Sequence, residues 1–547
     1  KKMNELKNIA SLVEEELNKF QIYHEVDVRF SNFSENTDIQ INSLLKIKKD
    51  KNFNKIVSSI KEKFKESIFI ESFEIVDSGF INIKLSSTFL EKSLQNHRKN
   101  ILNKNEKDKG TVIFDYGGAN IGKSLHVGHI RTLNIGRSLT NIYKIAGYKT
   151  ITDIHFGDWG MPLALIIAYI EDKNIDIKTL SSDDLEEIYP NASSLSKENE
   201  EFYSKALNIS KEMNLKNEHR VSQWKKIYDV STKNIKSLLS DLDFDFDYYL
   251  GESDVISLLP DFIKNLKKKN LVKIDDGALI ANDSQDPPAL ITKSDGSYMY
   301  LTTDIGTILY REKNFNPDYY IYVVDQRQKN HFNQLFNLVN YFKLSKAKFE
   351  HVPFGTVNDK KGKPMKTRDG KNYKLIELYK DLINKLSVDN LDSTIVSTLA
   401  KSVLTYSDLV TKRTGNYIFD IDKFTNVSGK SAIFIQYSQV RAKKLMDQSD
   451  FKSHLSAVGN DERELVIEIL KFSHFFKMAL ETNEPHHLAE YAYSLCHEFN
   501  KFYTNNKVFS EDIREELKLH RLYIVEIFYQ TITKVFNCLG IEPVNEM

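Results

Sequence analysis

One stretch constrains this chain more than any other: VIFDYGGANIGKSLHVGHIR, Val112 to Arg131. An apolar run is followed by glycines and then by a segment with apolar residues at helical spacing. Strand, glycine-rich turn and helix in that order predict a parallel sheet of the dinucleotide-binding type. "YKTITDIHFGDWG" supplies a second strand and turn, and "YYIYVVDQRQKNHF" (Tyr319 to Phe332) a later strand and helix. The same stretch holds two overlapping phosphate patterns. Read from Gly117 it is GGANIGKS, a match to G-x-x-x-x-G-K-[ST]. There Gly117 and Gly122 would shape a cradle of N–H groups, Lys123 would contact phosphate and Ser124 would hold magnesium. Asp325, ending "YIYVVD", could serve as the partner carboxylate. Read from His126 it is HVGH, a histidine pair around a glycine.

Local chemistry separates the two. The first pattern needs its helix to begin at Lys123-Ser124. Here Leu125-His126-Val127-Gly128 intervenes, and Gly128 disfavours helix by about 1 kcal/mol. In the second pattern His126 and His129, three apart, share a face at a helix's first turn. Gly128 lets a flat nucleotide approach the backbone, and the helix N-terminus favours phosphate. Two imidazoles with a nearby ammonium suit the charge of an α-phosphate under attack, where positioning and electrostatics do the catalysis. The alternative is a pair of ordinary polar residues capping a helix, and the spacing alone leaves that open.

At 547 residues the chain exceeds one hydrophobic core, so several domains are expected. Lys+Arg and Asp+Glu are both 76, so any basic surface for nucleic acid must be local. No apolar run has the roughly 18 residues of a membrane span, and the first residues carry no apolar signal core. No membrane association is expected. Two cysteines, Cys496 and Cys538, exclude a thiolate-rich zinc site and a disulfide framework. A reducing cytoplasm is the expected location. No other metal-ligand pattern stands out.

Residues 1–105 read as a first α+β unit. "NELKNIASLVEEELNKF" places Leu6, Ile9, Leu12, Val13 and Leu17 at helical spacing, and "FEIVDSGFINIKLS" alternates about a turn at Asp77-Ser78-Gly79, a hairpin. "NKNEKDKG", Asn103 to Gly110, reads as a linker. Residues 106–385 form the parallel-sheet domain, with a charged, mostly helical insertion at about 170–280. "FGTVNDKKGKPMKTRDG" (Phe354 to Gly370) is a polar, basic loop. Residues 386–547 read as an all-α bundle.

The stretch "DYGGANIGKSLHVGHIRTLNIGRSL", followed by "HFGDWG", closely resembles the class I aminoacyl-tRNA synthetases, and within them the arginyl-tRNA synthetases. "YLTTDIGTILYR", "YVVDQRQKNHF" and "HVPFGTVNDKKGKPMKTRDG" resemble the rest of that family's catalytic domain, in order. "IQYSQVRAKKL" and "LGIEPVNEM" resemble its anticodon-binding domain, and "DSGFINIKL" the end of its N-terminal tRNA-binding domain. The likeness spans nearly the whole chain and is weakest over 170–280. It implies an α/β architecture: a class I Rossmann-type catalytic domain, an α+β N-terminal domain that reads the tRNA D-loop, and an all-α anticodon-binding bundle. It implies an arginine–tRNA ligase that uses ATP with Mg2+, L-arginine and tRNA(Arg), and needs bound tRNA for activation. A monomer is expected, since no exposed heptad or apolar edge announces a partner.

Residue roles follow from the same resemblance. His126, Gly128 and His129 would bind ATP and stabilise its α-phosphate. Lys123 falls where the family has a lysine on the triphosphate that compensates for a weak second signature loop. That loop is "KPMKTRDG" here rather than Lys-Met-Ser-Lys-Ser; Pro364 occupies the first lysine position, leaving Lys366 and Arg368 as the cations near pyrophosphate. Asp304 would take the arginine guanidinium as a bidentate pair, with Tyr300, Asp115 and Gln328 completing the pocket. Asn120 would hold the substrate's α-amino or carboxylate group. From local sequence Asp304 could equally cap a helix beginning at Ile305. Tyr437 and Arg441, four apart on one helical face, suit an unstacked anticodon base. Gln40 and Asn42 fall where the family reads the D-loop, with Ile39 in place of its aromatic residue. Pro162 replaces the family's glutamine after Asp-Trp-Gly, and Ala119 its proline. Two rivals remain: a small-molecule nucleotidylyltransferase, which would not need the flanking domains, and a non-catalytic tRNA-binding paralogue, which would have lost the site.

Overall fold

The computed structural model describes residues 5–31, 37–103, 108–283, 285–366, 371–387, 391–448 and 453–547. The first helix, Glu5–Lys19, buries Ile9, Val13 and Leu17 completely, the i, i+4, i+8 stripe its sequence predicts. It packs with helix Phe53–Glu66 beside a four-stranded antiparallel sheet. The strands are β1 (Val28–Phe30), β2 (Ile39–Ile41), β3 (Ile70–Ile75) and β4 (Ile81–Leu85), in the order β1-β2-β4-β3. The predicted hairpin is β3–β4, and Gly79 takes the positive φ of its turn, a conformation glycine adopts without steric cost. Residues 104–107 of the expected linker lie outside the described residues.

The central sheet is fully parallel. It is built from β5 (Thr111–Asp115), β6 (Lys149–Asp153), β10 (Tyr319–Val323) and β11 (Lys348–Val352), in the order β11-β10-β5-β6. Val112, Ile113 and Phe114 are all buried, as in a sheet covered on both faces. Helix His129–Ala146 carries the chain from β5 to β6 and stops at Gly147, in the left-handed region. Its Gly136 lies flat on Tyr116: an added Cβ would stand 2.2 Å from that ring. The chain leaves β5 toward β6 on one side while β10 pairs on the other. The carboxyl ends at this reversal of strand order are where an open α/β sheet binds its ligand.

The insertion is helical over Ser182–Glu198, Glu200–Asn214, Glu218–Asp241 and Leu259–Lys268. It then adds a feature absent from the sequence reading, a three-stranded antiparallel sheet of β7 (Val272–Asp275), β8 (Ala278–Ala281) and β9 (Leu290–Thr292). These strands have three or four residues, and β7 is exposed after Val272, so no alternating pattern announces them. The C-terminal helices include Ser393–Leu409, Ala432–Asp447, His486–Asn505 and Glu515–Leu539. A buried ion pair ties helix Ser393–Leu409 to helix His129–Ala146: Arg131 Nε donates to Asp408 Oδ1 at 2.8 Å, with side chains 1% and 0% exposed. Cys496 and Cys538 are buried free thiols. Among the described residues no helix is long and apolar enough to cross a membrane.

Candidate active site

The HVGH segment forms a tight turn that runs into the helix beginning at His129. It is stitched to the segment after the basic loop: Val127 N–H donates to Tyr373 O at 2.8 Å, and Leu375 N–H to Leu125 O at 3.1 Å. The two rings lie 4.1 Å apart between centroids. Gly128 N–H donates to His126 Nδ1 at 3.0 Å, and His126 N–H to His129 Nδ1 at 3.0 Å. Each neutral ring therefore carries its proton on Nε2. Burial, aided by neighbouring positive charge, lowers both histidines, His129 to about 3. They are neutral hydrogen-bond donors at pH 7. Gly128 is required for a reason beyond nucleotide access: an added Cβ would stand 2.7 Å from His126 Cε1.

The competing phosphate-loop pattern fails on geometry. The helix starts five residues after Ser124. Gly122 N–H, which should face phosphate, donates to Ser231 Oγ at 2.9 Å. Asp325 is taken by Arg327 at 2.9 Å. Lys123 remains exposed, its ammonium 4.3 Å from the centre of the Tyr189 ring. Lys366 is also exposed, bridging Asn372 across the base of the basic loop; Arg368 lies outside the described residues.

Helix Tyr300–Phe315 presents Tyr300, Asp304, Thr307 and Arg311 along one face, at offsets of about one, two and three turns. Because it begins at Tyr300, Asp304 is interior and the N-cap reading of that residue fails. Arg311, fully buried, donates to Asp115 at 2.7 Å and to Asp153 at 3.0 Å, at the carboxyl ends of β5 and β6. Asp115, assigned by resemblance to the substrate pocket, is thus engaged within the protein. His155 bridges Asp153 (3.2 Å) and the Thr307 hydroxyl (2.9 Å). Burial would raise Asp153, but the His155 hydrogen bond and the Arg311 charge hold it down to about 2.

Further along the face, Asp304 pairs with His331 at 2.5 Å. Burial, then the Asp304 charge, push Glu252 up to about 8, and Tyr300 stands exposed beside Glu252 and Tyr189. Asn120 is exposed, and an added Cβ on Gly157 would reach 2.2 Å from its Oδ1, so the glycine of HFGDWG leaves room for that side chain. Gln328 is exposed at the end of the turn after β10. Pro162 lies in the first turn of helix Met161–Asp172, where a missing N–H costs no hydrogen bond.

Three family models match the chain: class I (R) tRNA synthetase catalytic domain over residues 90–421, DALR anticodon-binding domain over 435–547, and arginyl tRNA synthetase N-terminal domain over 7–85. An arginine–tRNA ligase from Agathobacter rectalis is 32% identical, the match covering 87% of this chain and 88% of that one. The chain belongs to the arginyl-tRNA synthetase family. A Francisella tularensis arginine–tRNA ligase is 33% identical, with 87% of both chains covered. Among solved structures, the Plasmodium falciparum arginyl-tRNA synthetase superposes with a TM-score of 0.82 at 26% identity, covering 99% of each chain. The Thermus thermophilus enzyme, at 18% identity, shares the fold with a TM-score of 0.78 and coverage of 99% and 100%. As a member of the arginyl-tRNA synthetase family the chain is a class I aminoacyl-tRNA ligase, and the family uses ATP for activation.

On the RNA-binding domains of this synthetase fold, Arg441 lies 4.2 Å over the Tyr437 ring and 4.9 Å over Tyr503, and donates to Asn500 at 2.6 Å. Tyr503 and Asn500 were not legible as partners, because they lie some 60 residues downstream on another helix. Gln40 donates to Asn82 at 2.8 Å across the sheet, and Asn42 follows β2 directly. Ile39 is wholly buried, so it is core and offers no face to a base. The residues of the candidate site that sequence reasoning missed are Asp153, His155, Glu252, Arg311 and His331. Asp153 and His155 end a strand in "TDIHFG" and could have been found by the sheet-edge rule. Glu252 sits in the charged insertion with no such signal.

Proposed function

We propose that the chain activates L-arginine with ATP and transfers it to the 3′ end of tRNA(Arg). The observation that carries this reading is one sheet edge that gathers an acidic pocket and a phosphate turn. Asp304, and Glu252 once it gives up its proton, with Tyr300 alongside, supply anionic acceptors for a guanidinium. His126, His129 and Lys123 supply donors for a triphosphate, and by the family resemblance Lys366 and Arg368 are assigned to the pyrophosphate. Asn120 and Gln328, both exposed, complete the amino-acid site. Asp115 supports the pocket through Arg311.

An arginine carboxylate oxygen attacks the α-phosphorus, and the bond to the bridging oxygen breaks to release pyrophosphate. Neutral Nε2–H donors stabilise the added charge without surrendering a proton. A ribose hydroxyl of the tRNA's terminal nucleotide then attacks the arginyl carbonyl and AMP leaves. Mg2+ enters with the nucleotide, held by phosphate oxygens and water, as that ion prefers. Tyr437 and Arg441, with Tyr503, form the anticodon contact, Gln40 and Asn42 the D-loop contact, and the working assembly is a cytoplasmic monomer.

The test is ATP–pyrophosphate exchange with arginine, run with and without tRNA(Arg). Exchange only with tRNA is the expected result. Exchange without it overturns the tRNA requirement alone. No exchange in either arm, with tRNA still binding, overturns the ligase reading in favour of a non-catalytic tRNA binder.

A further inference from the structure

Helix Ser182–Glu198 of the insertion carries Asp183, Glu186 and Tyr189 at three-residue spacing. That stripe meets two cations on either side of the histidine turn. Lys374 Nζ pairs with Glu186 and lies 3.7 Å from Asp183. Lys374 is the residue whose backbone bridges His126, and its neighbours Tyr373 and Leu375 hydrogen-bond Val127 and Leu125. The Tyr189 ring lies under the Lys123 ammonium, at 4.3 Å. The helix thus holds the glycine-rich turn through one residue and the segment stitched to the histidines through two others. A ring face attracts an ammonium without neutralising it, whereas a carboxylate in that place would compete with phosphate for the same charge.

We propose that Tyr189 is a positioning residue that holds Lys123 for the triphosphate, and that the Glu186–Lys374 pair anchors the helix that carries it. This rests on the reading of Lys123 as a phosphate contact. The insertion then tunes ATP affinity through a contact it makes with the turn rather than with the nucleotide.

The experiment is steady-state aminoacylation by the full chain with saturating tRNA and arginine, titrating ATP. Tyr189→Leu should raise KM for ATP about three- to tenfold, the range a partly exposed cation–π contact spans. Tyr189→Phe should stay within about twofold of the parent, because the ring face remains. Glu186→Gln should move KM in the same direction as Tyr189→Leu. In a Lys123→Met background Tyr189→Leu should add nothing, since coupled residues are non-additive. A Tyr189→Phe variant as impaired as Tyr189→Leu overturns the proposal by assigning the effect to the hydroxyl. A full additional loss in the Lys123→Met background overturns it as a structural effect. A lowered KM in Tyr189→Leu overturns it by showing that Tyr189 restrains Lys123 away from ATP. If Lys123→Met itself leaves KM for ATP unchanged, the phosphate reading of Lys123 fails instead.

Discussion

His126 and His129 work as neutral donors because the backbone decides their tautomers. Two main-chain N–H groups occupy the two Nδ1 atoms, leaving protons on Nε2. His126→Ala should lower kcat for pyrophosphate exchange about 100- to 1000-fold, the usual cost of one preorganised donor, while thermal melting stays unchanged. Single-turnover kinetics would check it. Glu252 is the second informative residue. It is pushed up to about 8 by burial and by Asp304, from an ordinary 4.5. A guanidinium favours the ionised form, so arginine binding should release a proton and tighten as pH rises toward about 8. The same shift makes the unliganded protein lose stability as pH rises from 4.5 to about 8, because the folded state binds the extra proton in that window. Calorimetric titration of arginine in buffers of different ionisation enthalpy reads the proton release; Glu252→Gln should abolish it. The residue types at His126, His129, Lys123, Tyr300 and Asp304 were all visible in the linear chain. The partners that orient them were not, since Glu252 comes from the insertion and His331 from the helix after β10.

Helix His129–Ala146 links chemistry to packing. Its start presents His129 and its middle must lie against Tyr116, which is why residue 136 has no side chain. Gly136→Ala places a methyl 2.2 Å from the Tyr116 ring and should destabilise the fold by about 1–3 kcal/mol, the cost of overpacking. Urea unfolding with an unchanged m-value would show it. Helix Tyr300–Phe315 was legible as a helix, but its start was not. Asp304 resembles a cap in the sequence, whereas the helix begins four residues earlier behind an uncapped Met299. Tertiary contacts override local capping preference here: Thr302 Oγ1 donates to Ile291 O at 2.5 Å and holds the first turn to β9. The short strands β7 to β9 were missed because each lacks the length that makes alternation readable.

At the scale of the molecule, helix Ser393–Leu409 and the helix after β5 are joined by ionisable groups with almost no solvent access. Arg131 follows His129 by two residues, so the Arg131–Asp408 pair anchors the helix proposed to carry the phosphate site. Arg131→Met leaves Asp408 buried without its countercharge. It should cost about 3–5 kcal/mol, as breaking one side of a buried pair does, and also reduce exchange activity. Chemical denaturation followed by tryptophan fluorescence, from Trp159 and Trp224 in the catalytic half, would compare the variants. The N-terminal unit joins the bundle in a similar way, through Arg463, which reaches Asp38 and donates to Leu85 O at 2.7 Å.

By itself the sequence determined the parallel-sheet core, the histidine turn, the helical C-terminal bundle and the family resemblance. These depend on period, glycine placement and contiguous motifs, which are local along the chain. The sequence already favoured the histidine pattern over the overlapping phosphate loop; tertiary structure added where the helix starts and where Gly122 N–H points. It also decided that Asp115 meets Arg311, that Ile39 is core and that Tyr189 faces Lys123. Each of those contacts joins residues tens to hundreds of positions apart, and the pairing of distant side chains is set by packing rather than by any pattern within one segment.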